Sequence, residues 1–156
     1  MRLDEIIGEL SEKFNIDGLS ADDEGVYRLN ADGMEIAVAD AEDGVHFVLW
    51  AEVGQQPSSC QEQVFRILLQ AMFMGQQTKG ASFSLHDETV YLQQQEGLEG
   101  LDTARFESLL EDFVNTLSDW REAIRSFSSV APELDKKIQE NADDVRSLAA
   151  QGFVVV

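Results

Sequence analysis

Few residues of this sequence are of a type that performs chemistry, and they are scattered. The chain contains two histidines, His46 and His86, and one cysteine, Cys60. Neither histidine lies at helical spacing from another metal ligand. His86 beside Asp87 is typical of a turn, because such short matches are often false. A single cysteine excludes an intramolecular disulfide and a cysteine-rich zinc site. We interpret Cys60 as a half-buried packing residue rather than a reactive thiol.

The 30 acidic residues raise two further chemical hypotheses, calcium binding and acid-pair hydrolysis. An EF-hand loop has oxygen ligands at alternating positions and glycine at the sixth. Loops that start at three of the aspartates fail this test, because their sixth positions are Tyr27, Ala37 and Val45. A hydrolytic pair of carboxylates stays open, since no pair stands out among so many acids. Glycine-rich phosphate loops are absent. We therefore predict no catalytic residue, no metal and no cofactor.

The strongly acidic composition limits the classes of partner. The 156 residues carry a formal net charge of −19, and 44% of them are hydrophobic, as in a single globular domain. Such a surface repels nucleic acid and anionic lipid and favours basic or weakly charged partners. No apolar run is long enough to span a bilayer. The acidic start of the chain does not resemble a signal peptide. We expect a cytosolic protein that binds neither nucleic acid nor membrane.

Hydrophobic periodicity predicts the elements that must position any functional surface. The predicted order is one helix, three strands, one helix, two strands and one long helix. The first helix carries the apolar stripe Leu3, Ile6, Ile7 and Leu10. Predicted strands cover residues 26–29, 34–39, 45–53, 82–85 and 90–92, and residues 93–97 lead out of the last strand. Asp-Gly and Gly-containing turns separate the first three strands, which indicates an antiparallel meander.

Two apolar surfaces exceed what a simple amphipathic pattern requires. Strand 45–53 carries Val48 and Trp50 on the face opposite its main apolar face, so this second face is either core or a binding surface. The helix around residues 64–75 is apolar on more than one side, which predicts burial against its own sheet and against a second molecule.

The long helix is predicted to begin after Asp102, which is a good N-cap, and to run to Ile124. Leu101 and Phe106 fit a hydrophobic staple around this cap. Residues 126–131 are predicted to be a linker, followed by a further helix from Pro132 to about residue 148 and an apolar tail at residues 153–156. We accordingly divide the chain into a domain of residues 1–127 and an extension of residues 128–156.

The element order, size and acidity resemble those of one known family. The sequence stretches that support the resemblance are residues 23–29, 32–39, 45–57, 64–75 and 109–120. Together they resemble the class I chaperones of bacterial type III secretion, the Tir chaperone family, over about residues 1–127. The extension at residues 128–156 is longer than a minimal member of that family needs.

The resemblance implies an α+β fold with the order α-β-β-β-α-β-β-α and no enzymatic activity. It implies a homodimer formed through the second helix, and binding of the N-terminal region of a secreted effector in extended form. Effector contacts are expected at Leu3, Ile6, Ile7, Leu10, Val48 and Trp50. Dimer contacts are expected at Phe65, Leu68, Leu69, Met72, Phe73 and Phe83. The expected location is the bacterial cytoplasm, and the export ATPase is a further expected partner.

Two alternatives to a secretion chaperone stay open from the residues alone. The first is a protein-binding module with the same fold and a housekeeping role unconnected to secretion. The second, from another class, is a hydrolase that uses a pair of acids. Each named apolar residue also has a second interpretation as part of the core.

Overall fold

The computed structural model of the protein describes residues 1–150, with side chains described for residues 1–127. Its elements follow the predicted order and confirm the α+β class. They are α1 (Leu3–Phe14), β1 (Tyr27–Ala31), β2 (Met34–Asp40), β3 (His46–Gln55), α2 (Gln61–Ala71), β4 (Ser82–His86), β5 (Thr89–Gly97) and α3 (Thr103–Ala150). A short 3-10 turn, Phe73–Gly75, follows α2. The predicted tail at residues 153–156 lies outside the described residues.

The five strands form one antiparallel sheet in the order β1-β2-β3-β5-β4, so β1 and β4 are its edges. The predicted meander of the first three strands is confirmed. In the turn between β1 and β2, Asp32 and Gly33 have φ angles of 52° and 77°. Tight two-residue hairpins need this left-handed conformation, and Asp-Gly is a preferred sequence for it. The local sequence therefore determines the register of this hairpin, in which Ala31 pairs with Met34.

The hydrophobic core lies between one face of the sheet and the helices α1 and α3. The inward side chains of β3, Phe47 and Leu49, are fully buried there. The ring of Phe47 contacts Phe106 of α3 at a centroid distance of 5.6 Å. Lys13 Nζ of α1 lies 2.7 Å from a carboxylate oxygen of Glu107 of α3. These contacts hold α1 and α3 together on the same side of the sheet.

The beginning of α3 agrees with the sequence prediction. Asp102 Oδ1 accepts a hydrogen bond of 2.8 Å from the backbone N–H of Arg105, which is the N3 position of the helix. Leu101 and Phe106, the predicted staple pair, are both buried in the core. The chain therefore enters α3 at an angle set by a polar cap and an apolar contact together.

The predicted linker at residues 126–131 is wrong, because α3 continues without a break to Ala150. These six residues contain no glycine, and their helix propensities are moderate rather than prohibitive. Pro132 lacks a backbone N–H, so the helix loses a hydrogen bond there but does not end. The division between residues 1–127 and 128–156 consequently falls inside a helix, and it stays a prediction.

Two further element boundaries differ from the sequence prediction. Residues 93–97 extend β5 rather than leaving the sheet, because they pair with β3 from Trp50 to His46. Gln93 and Gln95 are exposed, and the buried Gln94 donates a hydrogen bond of 2.8 Å from Nε2 to Glu96, so the sheet accommodates these polar side chains. The second helix ends at Ala71, and the chain turns at Met74 and Gly75, which have φ angles of 56° and 66°. A helix cannot continue through left-handed residues.

Candidate functional site

The apolar stripe of α1 lies in the core of the chain. Leu3, Ile6, Ile7 and Leu10 are each at most 4% exposed. The sequence left open whether these four residues are core or an effector pocket, and their burial favours core. The physical reason is that α1 packs on both the sheet and α3, which together cover its whole apolar stripe.

The second face of β3 is half-buried and lies on the open side of the sheet. Val48 and Trp50 point away from the core, and Trp50 pairs with Ala37 of β2 and Gln93 of β5. Trp50 and Tyr91 line two neighbouring cavities of about 250 and 300 Å³. This face therefore offers an aromatic surface on a rigid sheet, as a protein-binding face requires.

An apolar groove lies between α2 and the edge strand β4. Leu68 is buried at its base, whereas Leu69 is 65% exposed and Phe73 is 71% exposed. A cavity of about 180 Å³ lies in the groove. It is lined by Phe65, Leu68, Leu69, Met72, Phe83, Ser84, Leu85 and Val90. The structure thus brings five of the six predicted dimer residues to one groove, and Phe73 lines an adjoining open depression of about 980 Å³ along α2.

Two contacts fix the wall of this groove. The ring of Phe83 meets the ring of Trp120 edge-on at a centroid distance of 5.0 Å. The backbone N–H of Phe83 donates to the sulfur of Met72 at 3.0 Å. Trp120 Nε1 in turn donates to the carbonyl oxygen of Gln77 at 3.2 Å. Helix α3 therefore supports the groove from behind.

Sequence reasoning missed three residues of these surfaces. Leu85, 49% exposed, lines the α2–β4 groove, and its i,i+2 spacing from Phe83 on a strand was the signal that could have revealed it. Tyr91 lines the open face beside Trp50. Arg121 of α3 lines the same cavity as Trp50, and no local pattern could have revealed this long-range proximity.

The ionisable groups with shifted pKa values have structural roles. The backbone N–H of Val45 donates to Asp43, and His46 lies 2.6 Å from the same carboxylate, so both contacts lower the pKa of Asp43. The backbone N–H of Val26 likewise lowers the pKa of Asp22. Both aspartates close loops by binding backbone N–H groups.

The part of the chain that the structure describes contains neither a metal-ligand cluster nor a membrane-spanning helix. No group of three or more His, Cys, Asp or Glu side chains in that part of the chain could hold a metal ion. Within the same residues, no helix is both long enough and apolar enough to cross a membrane. Cys60 is buried rather than half-buried, which agrees with its interpretation as a packing residue.

Known proteins define the class of this domain. The model of the Tir chaperone protein (CesT) family matches residues 5–121, which is well over half of the chain. The chain therefore belongs to the Tir chaperone protein family, as the sequence resemblance predicted. No curated protein sequence matches it significantly.

Solved structures show the same fold at low sequence identity. The ExsC–ExsE complex aligns with a TM-score of 0.67 and 20% identity, covering 80% of this chain and 97% of that chain. The HopA1–SchA chaperone–effector complex aligns with a TM-score of 0.63 and 16% identity, covering 76% and 92% respectively. The Yersinia pestis type III secretion chaperone SycH, bound to a fragment of YscM2, aligns with a TM-score of 0.57 and 15% identity. This alignment covers 74% of this chain and 97% of that chain. These alignments confirm the predicted fold.

Proposed function

We propose that this protein is a type III secretion chaperone of the bacterial cytoplasm. It binds the N-terminal region of a secreted effector in extended form and keeps it soluble and export-competent. The observation that carries this proposal is the match of residues 5–121 to a chaperone family. The similar structures add support, since their names describe a type III secretion chaperone and a chaperone–effector complex. The proposal includes the absence of enzymatic activity.

The chain acts as a homodimer that joins through the α2–β4 groove in this proposal. The groove carries its apolar residues on a helix and an edge strand, and large exposed side chains such as Leu69 and Phe73 border it. Contiguous exposed apolar surface of this kind marks interaction sites. The proposed dimer contacts are Phe65, Leu68, Leu69, Met72, Phe73 and Phe83.

The effector segment occupies the open face of the sheet and its free edge. Because β4 borders the dimer groove, β1 is the edge left for an added strand. Strand addition is tolerant of sequence, since backbone hydrogen bonds supply it, and pockets supply specificity. Val48 and Trp50 provide the apolar contacts on that face. Leu3, Ile6, Ile7 and Leu10 would contact the effector only if α1 left the core, so we assign them a supporting role.

The extension of α3 beyond residue 127 is the proposed contact for the export ATPase. It continues the helix past the segment matched by the family model, which ends at residue 121. Truncation after residue 127 would then leave effector binding intact and reduce export. Equal export by the truncated and full chains would contradict this assignment.

The proposed function is tested by deletion and complementation in the source bacterium. Quantitative proteomics of the secreted fraction should show one or a few proteins lost on deletion and restored by the wild-type gene. The variant Val48→Asp should fail to restore them. Val45→Asp is the matched control, because Val45 is a neighbouring valine that is 58% exposed and precedes β3.

The outcome of this experiment also separates the alternative of a housekeeping binding module. If no secreted protein changes on deletion while the tagged chain still retains a cytosolic partner, the housekeeping role is correct. If deletion lowers secreted proteins but both valine variants complement fully, the secretion role stands and Val48 is not an effector contact.

A further inference from the structure

Two cavities meet at the end of β3, next to the aromatic surface of the sheet. One, of about 250 Å³, is lined by residues that include Arg28, Trp50 and Tyr91. The other, of about 340 Å³, is lined by residues that include Arg125. Glu52 and Arg121 line both cavities, so the two cavities adjoin, and we describe them together as one cleft. We name it the arginine cleft, defined by Arg28, Trp50, Tyr91, Arg121 and Arg125.

The charge of this cleft differs from that of the chain as a whole. The sequence has only 11 basic residues against 30 acidic ones, yet three arginines line this cleft beside two glutamates, Glu35 and Glu52. Arg28 is paired with Glu35 at 3.1 Å and with Asp22 at 3.7 Å. Arg125 is paired with Glu122 at 2.8 Å. Of the three arginines of the cleft, Arg121 is the one that forms no ion pair with the described side chains, although Glu52 lines the same cavities.

The backbone holds Arg121 in a defined position. Arg121 Nε donates to the carbonyl oxygen of Glu52 at 2.9 Å. One helical turn further on, Ile124 packs so closely on Gly54 that a Cβ added there would lie 3.1 Å from Ile124 Cγ2. Because Gly54 has no side chain, α3 can pack close to β3 at this position. With Nε occupied, the two Nη groups of the guanidinium are the donors available for a carboxylate.

The spacing along β3 determines what can bind both the aromatic surface and Arg121. Trp50 and Glu52 are two residues apart on the same strand face, a separation of about 6.6–6.8 Å. An extended peptide presents its own side chains i and i+2 on one face at the same spacing. An apolar side chain on Trp50 and Tyr91 would therefore place the side chain two residues away over Glu52, beside the guanidinium of Arg121 that binds the Glu52 carbonyl oxygen.

We propose that the arginine cleft binds an acidic side chain of the effector segment, two residues from an apolar side chain that packs on Trp50 and Tyr91. This inference rests on the proposed function and names the chemistry of its partner. Because Arg28 and Arg125 are already paired, Arg121 is the arginine of the cleft that can attract the acidic residue of the segment. That position fixes which residues of the segment lie over β3 on the open face of the sheet.

The test is a selection of random 12-residue peptides on the purified full chain, read by sequencing. The wild type should enrich Asp or Glu two residues from an aromatic or large aliphatic residue. Arg121→Gln should lower the preference for acid about tenfold or more, since a charge-assisted hydrogen bond is lost, and should keep the apolar preference. Arg121→Glu should change the preference to Lys or Arg. Arg105→Gln, at the other end of the described α3 side chains, is the matched control and should behave as the wild type.

Each other outcome has a distinct meaning. Apolar peptides enriched without an acidic preference, or an acidic preference unchanged in Arg121→Gln, would overturn this inference and leave the proposed function standing. Failure of the wild type to enrich any peptide would count against both. If Arg121→Gln does not fold by circular dichroism, Arg121→Lys decides the matter, because it keeps the charge and should keep the acidic preference with a few-fold weaker affinity.

Discussion

Helices α1 and α2 have similar apolar stripes in the sequence and opposite environments in the structure. Each is a short helix in which large apolar residues recur at three- and four-residue spacing. Leu10 of α1 is 4% exposed, whereas Leu69 of α2 is 65% exposed. The difference lies in the neighbours. The sheet and α3 cover α1, and the described part of the chain leaves one side of α2 uncovered.

This comparison shows what an amphipathic pattern can and cannot establish. Periodicity indicates that a helix face avoids water, but it does not identify the surface that covers the face. An unusually broad stripe is the additional signal. Helix α1 exposes one large apolar residue, Phe14, at its end, whereas α2 exposes Ile67 and Leu69 and the turn after it exposes Phe73. The extra width is the sequence feature that indicates a second molecule.

The largest effect should come from a matched pair of leucine truncations. Leu10→Ala creates a cavity in the core, so it should lower the free energy of unfolding by about 2–5 kcal/mol at any protein concentration. Leu69→Ala removes a side chain from the proposed dimer contact, so its loss of stability relative to the wild type should grow as the protein concentration rises. Urea unfolding at two concentrations measures both. A concentration-independent loss of similar size in Leu69→Ala would mean that α2 is covered by its own chain.

A charged residue at the exposed end of α2 should separate the proposed dimer. Phe73→Asp places a carboxylate in the apolar contact, and truncation of such a central aromatic costs about 2 kcal/mol or more, a factor of about 30 in the dissociation constant. Sedimentation velocity over a concentration series measures it. Phe14→Asp is the control, because Phe14 is an equally large exposed side chain at the end of α1. A wild type that sediments as a monomer at all concentrations would disprove the dimer.

Helix α3 packs on α1 within the chain, and this packing depends on where α3 begins. Asp102→Ala removes the hydrogen bond to the Arg105 N–H and should lower the free energy of unfolding by about 0.5–2 kcal/mol. Asp102→Asn should retain most of the stability, since asparagine also caps helices. Thermal or urea unfolding of the three proteins measures the cap. Equal loss in both variants would show that charge, rather than capping geometry, is the main contribution.

The smallest effect should come from the ion pair that joins α1 to α3. Lys13 Nζ lies 2.7 Å from Glu107, but more than half of the lysine side chain is exposed. Exposed pairs contribute about 0.2–1 kcal/mol. A double-mutant cycle with Lys13→Ala and Glu107→Gln should give a coupling energy in this range that decreases in 1 M salt. A coupling energy above about 2 kcal/mol would show that this ion pair, rather than the apolar stripe of α1, holds α1 on α3.

Part of the site could be predicted because its signals are local. The strand alternation places Val48 and Trp50 opposite Phe47 and Leu49, as the structure shows. The contribution of Arg121 to the same surface could not be predicted, because it depends on α3 crossing β3 at Gly54. Likewise, burial of the α1 stripe results from long-range packing that no window of sequence contains.

The sequence by itself determined the order and type of the elements, the turns at Asp32-Gly33 and the cap at Asp102. These features depend on backbone preferences and side chains within a few residues of each other. The tertiary structure decided which apolar faces are shared within the chain, how far β5 and α3 extend, and which arginine lies beside the aromatic surface. These depend on contacts between residues that are distant in the chain, and such contacts exist only when the sheet and helices are assembled.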